Sequence, residues 1–137
     1  MNISSEQIQA RVPVTVLHLS GDVDGSNFQT IIEKGRELHQ QGVRHLVLDL
    51  GGVAYTSSAG LVALHSVARL FNNQEMPDLE DGWRAIRMVG QAREAGTQTA
   101  VKLLNPQARV AAILEQTGLN VHFQIFTDQA AAVESFA

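Results

Sequence analysis

Three hydroxyl residues in a row, Thr56-Ser57-Ser58, stand directly ahead of Ala59-Gly60 and an apolar stretch. Hydroxyls at a helix start support two readings. They can cap the helix by accepting from its first free N–H groups. They can also receive a phosphate, because the positive end of the helix macrodipole favours an added anion. One phosphate adds about −1.5 to −2 charge, against a chain whose formal net charge is −4. On a protein-binding face that charge can repel a partner with no large structural change. A second group lies in the turn Gly21-Asp22-Val23-Asp24-Gly25, which carries two carboxylates two residues apart.

Other chemistries lack their residues. His18, His39, His45, His65 and His122 are scattered, with no His-x-x-x-His or carboxylate spacing of a metal site. They read as surface or packing residues. A Ser58–His65 dyad fails on distance, since seven residues of helix rise ~10.5 Å. There is no GxxxxGK[ST], GxGxxG or GxSxG motif. The chain has no cysteine, which removes thiolate metal sites, thiol nucleophiles and disulfides. No catalytic residue, metal or cofactor is predicted, and the chain reads as a non-enzyme. Lys plus Arg is 10 against 14 for Asp plus Glu, which argues against nucleic acid as a partner. Residues 1–10 lack the basic start and apolar run of a signal peptide. Apolar runs reach only a few residues, against the ~20 of a membrane span. A cytoplasmic protein with no membrane partner is expected.

The 137 residues suit one domain. Residues 12–19, VPVTVLHL, read as a strand, with Pro13 placing it at an edge or a strand start. It could pair with a short strand before it. Ser26 or Asn27 caps a helix with Phe28, Ile31, Ile32, Gly35 and Leu38 on one face, and Gly42 stops it. Residues 44–50, RHLVLDL, have the near-continuous apolar character of a central strand. A second helix follows Ser58, with Leu61, Leu64, Val67, Ala68 and Phe71 inward. Residues 72–81 form a polar loop in which Glu75, Asp78, Glu80 and Asp81 hold four of the 14 acids. Residues 83–95 read as a helix containing Trp83, the only tryptophan. A strand is expected at 98–104, a helix started by Asn105-Pro106, a last strand at 121–126 and a final Ala-rich helix. Strands alternating with helices imply an α/β architecture with a parallel-rich sheet.

These residues resemble the STAS domain, the fold of anti-sigma factor antagonists. Gly21-Asp22-Val23-Asp24 is similar to the family's turn after the first strand. Leu46-Val47-Leu48-Asp49-Leu50 with Val53-Ala54-Tyr55 is similar to its central strand. Ser57-Ser58-Ala59-Gly60-Leu61 resembles its phosphosite, and Asn105-Pro106 with Val110 and Gly118-Leu119 its last strand-to-helix segment. The likeness runs over about 12–136. It implies a mixed, mostly parallel sheet of four to five strands backed by four helices, plus one inserted helix. Residues 1–11 would be an N-terminal segment, 12–137 the domain, and 72–96 an insertion.

The resemblance also implies partner switching. The unphosphorylated antagonist would bind an anti-sigma factor that is a GHKL-type serine kinase, and so release its target. Phosphorylation of Ser58 would end binding, and a PP2C-type phosphatase would restore it. Ser57 and Thr56 are alternative acceptors. Asp22, Asp24, Ser57, Ser58, Ala59, Gly60 and Leu61 would form the partner-binding surface, with Gly60 allowing close approach. Many members carry Asp before the phosphoserine, where this chain has Ser57. A non-switching STAS scaffold in a stress-signalling assembly is the alternative.

Overall fold

The structure, a computed structural model, describes residues 1–73, 86, 87, 89 and 97–136. Glu75, Asp78, Glu80, Asp81, Trp83 and most of the expected 83–95 helix lie outside the described residues. Strand β1 is Asn2–Gln9 and β2 is Pro13–Ser20. They form an antiparallel hairpin from Asn2↔Ser20 to Gln9↔Pro13. Helix α1 (Phe28–Gln40) leads to β3 (Leu46–Gly52), and α2 (Ser58–Phe71) follows it. Then come β4 (Val101–Leu104), α3 (Ala108–Thr117), α4 (Leu119–His122), β5 (Ile125–Phe126) and α5 (Gln129–Glu134). The sheet order is β1-β2-β3-β4-β5, and every pairing after the first is parallel.

Alternation along the strands divides the core in two. Leu17, Leu19, Leu46, Leu48, Leu50, Val101 and Leu103 point to one face and pack against α1, α2 and α3. Parallel crossovers of constant hand, each advancing one strand in the same direction, place their helices on that single face. Val14, Val16, Val47 and Leu104 point to the other face, where Ala132 and Val133 of α5 and the following Phe136 cover them. Gly35 is required where α1 meets α2, because a Cβ there would lie 3.0 Å from Val67 Cγ2.

Three local expectations change, and the N-terminal segment gains a strand. Within residues 1–11, Asn2–Gln9 is the short strand before β2 and pairs with it along its whole length. This strand is polar and mostly exposed, with only Ile3 and Ile8 half-buried. It therefore carries no apolar alternation to be read. The 121–126 strand shortens to Ile125–Phe126, because left-handed Gly118 (φ 81°) starts the single turn of α4. Asn105 does not cap α3. It takes φ 53°, and Gln107 stands at the N-cap instead. The final change is in α2, where the inward stripe widens until Gly60 to Ala68 are all buried.

Candidate functional site

Gly21 (φ 95°) turns the chain out of β2, and its N–H donates to Gly52 O at 2.9 Å. This brings the Asp22–Asp24 turn alongside the segment that enters α2. Val23 N–H donates to Tyr55 O (3.0 Å), and Ser57 N–H donates to Val23 O (2.9 Å). The parallel bridge Val23↔Thr56 thus joins two stretches that are far apart in sequence.

The turn is fixed from within. Asn27 Oδ1 accepts from Asp24 N–H (3.0 Å), and Asn27 Nδ2 donates to Asp22 O (2.9 Å). Asn27 occupies the N-cap position of α1 without making a side-chain cap, because its amide is spent on the turn. Asp24 Oδ1 accepts from Ser26 Oγ (2.5 Å) and Ser26 N–H (2.9 Å). Those two bonds hold the Asp24 carboxyl below the usual carboxylate range.

The three hydroxyls separate by burial. Thr56 is buried, and its Oγ1 donates to Ser57 O at 3.2 Å. Ser57, extended at the N-cap of α2, makes no side-chain cap, and its Oγ is buried without a partner. Ser58, the first residue of α2, is exposed. The first-turn N–H groups therefore keep their affinity for an anion.

The structure brings Asp22, Asp24, Ser57, Ser58 and Ala59 together at the surface or half-buried. Gly60 and Leu61 turn inward. A Cβ at Gly60 would lie 1.9 Å from Thr56 Oγ1 and 3.0 Å from Val23 Cγ1. The lack of a side chain at Gly60 thus lets the turn and the helix close on each other. Tyr55 and Arg109 were not singled out from the sequence. Tyr55 is 38 % exposed, and the Arg109 guanidinium lies 5.5 Å from its ring centroid. Only the fold brings residue 109 there.

Ser58 makes no side-chain hydrogen bond among the described residues. His65 points into the core, edge-on to His122 with ring centroids 5.5 Å apart. His18 Nδ1 pairs with Asp49 Oδ2 at 2.6 Å, with Glu6 Oε1 at 3.8 Å from Nε2. Among the described residues no three His, Cys, Asp or Glu gather as metal ligands, and no helix is long and apolar enough to cross a membrane.

A family model described as "Mlab, STAS domain" matches residues 6–76, more than half of the chain. The chain belongs to the STAS family. No curated protein matches its sequence. Solved structures share the fold at low identity. A candidate anti-sigma factor antagonist from Thermotoga maritima superposes with TM-score 0.68 at 16 % identity, covering 97 % of this chain and 92 % of that one. The Bacillus cell-fate determinant SpoIIAA in its phosphorylated form gives 0.59 at 15 %, covering 99 % and 100 %. The murine anion transporter Slc26a9 gives 0.60 at 16 %, covering 96 % of this chain and 21 % of the transporter. The mixed five-stranded sheet and helices of this STAS protein are those of that fold.

Proposed function

We propose that this STAS protein is an anti-sigma factor antagonist, a phosphorylation-switched binding module without catalysis of its own. The observation that carries the reading is the exposure of Ser58 at the first position of α2, beside the Asp22–Asp24 turn. Unphosphorylated, the surface around Ser58 binds an anti-sigma factor that is a GHKL-type serine kinase, in the cytoplasm. Phosphate on Ser58 adds about −1.5 to −2 charge beside Asp22 and Asp24, and a carboxylate-facing partner then leaves. A PP2C-type phosphatase restores binding. Thr56 and Ser57 are poorer acceptors because both hydroxyls are shielded. The phosphorylated SpoIIAA structure supports the reading by likeness of fold.

Ser57 favours a second reading. It stands where the resemblance implies Asp, and its buried hydroxyl cannot supply a carboxylate to the acceptor site. A non-switching scaffold in a stress-signalling assembly would need no phosphoacceptor. Incubation with the GHKL kinase encoded nearest the gene, and ATP, is expected to add one phosphate, mapped by mass spectrometry to Ser58. Phosphate absent, or placed elsewhere, contradicts the switch and favours the scaffold.

A further inference from the structure

Lys102 of β4 points to the sheet face that α5 covers, opposite to α1 and α2. The residue is 4 % exposed, yet among the described residues no carboxylate pairs with it. A buried ammonium without a counter-ion is costly unless its donors are satisfied. Here they are satisfied in part. Nζ donates to Ser135 Oγ at 2.6 Å and lies 4.2 Å from the Phe136 ring centroid and 5.7 Å from that of Phe126. An ammonium has three N–H donors. The hydroxyl uses one and the Phe136 face a second, which leaves the third. The Ser135 hydroxyl in turn donates to Ala132 O at 2.6 Å. Burial pushes the Lys102 ammonium below the ordinary lysine range.

Lys102 lines a cleft of about 450 Å³ together with His45, Thr99, Gln124, Phe126 and Phe136. That volume lies within the range of small-molecule sites. The His45 ring is 5.1 Å from Phe136, and its Nδ1 is buried with no partner. That nitrogen is closed off from the cleft, so Lys102 is the group that offers a ligand a hydrogen bond. We propose that this cleft binds a small organic carboxylate, one oxygen of which takes the third Lys102 N–H while its apolar body lies against Phe126 and Phe136. One cation matches one carboxylate, and the rings favour an organic anion over a hydrated inorganic one. The site is independent of Ser58, which belongs to a helix on the other face.

The test titrates the full chain with benzoate, followed by calorimetry and by ¹³C NMR of the lysine side chains. Saturable binding that shifts the Lys102 ε resonance, and raises its pKa as the charge gains a partner, is expected. Lys102→Met should weaken binding about tenfold or more, the scale of one charge-assisted hydrogen bond. Lys102→Arg keeps the charge and should hold binding within severalfold of the native chain, which guards against misfolding of the first variant. Absence of saturable binding in the native chain overturns the proposal. So does unchanged affinity in a folded Lys102→Met variant, or inorganic phosphate binding as tightly as benzoate.

Discussion

Gly60 sits where a methyl group has no room. A Cβ would press on Thr56 Oγ1 and Val23 Cγ1, the two side chains that close the joint between the Asp22–Asp24 turn and α2. Gly60→Ala should therefore destabilise the fold by about 1–3 kcal/mol, the cost of overpacking. Adding Thr56→Ala should recover part of that loss, because the obstructing hydroxyl is gone. Urea denaturation of the two variants checks both statements. The run of three hydroxyls before a helix was legible in the sequence, as was its resemblance to a phosphosite. The ranking within the run, Ser58 ahead of Ser57 and Thr56, came from that resemblance and not from the residues themselves. Burial of Thr56 and of the Ser57 hydroxyl comes from pairing with Val23, more than thirty residues away, and no local pattern encodes that distance. The inward direction of Gly60 was hidden for the same reason.

At the scale of elements, the Asp22–Asn27 turn is held by one side chain that faces backward. Asn27 accepts from Asp24 N–H and donates to Asp22 O. Asn27→Ala leaves both groups to water, so a loss of about 1 kcal/mol is expected, near that of an ordinary N-cap. Hydrogen exchange should speed at the amide of Asp24, which loses its acceptor. The inward faces of α1 and β3 were readable, because Ile31, Ile32 and Leu38 follow helical spacing and β3 is apolar on both sides. β1 was open only as an alternative, a short strand before β2, since a polar edge strand is held by backbone pairing rather than by buried side chains. β5 was overextended for the opposite reason. The apolar residues of 121–126 suit a strand, but Gly118 spends the first of them on a helical turn.

Across the whole molecule, the core lies on two sheet faces and two buried bases remain inside it. His65 is pushed down to about 4, by burial first and then by the charges of His122 and Arg69. The unfolded chain titrates this group near its ordinary 6.5. Above that pH the native and unfolded states both carry it neutral, and the stability is whole. As pH falls from 6.5 toward about 4, the unfolded chain takes up the proton first, and stability drops by roughly 2–3 kcal/mol. Denaturation across that window should show the loss, and His65→Leu should flatten it. The layered α/β plan was legible in the alternation of strands and helices. The pairing of His65 with His122 and the clustering around Lys102 were not, because both join side chains from elements distant in sequence. In the proposed switch, function at this scale rests on one charge that the composition does not include. The affinity of the purified anti-sigma factor kinase for the unphosphorylated chain and for the Ser58-phosphorylated chain, compared by calorimetry, measures it directly. Binding about tenfold or more weaker after phosphorylation is expected; equal affinity for the two forms would rule out the switch.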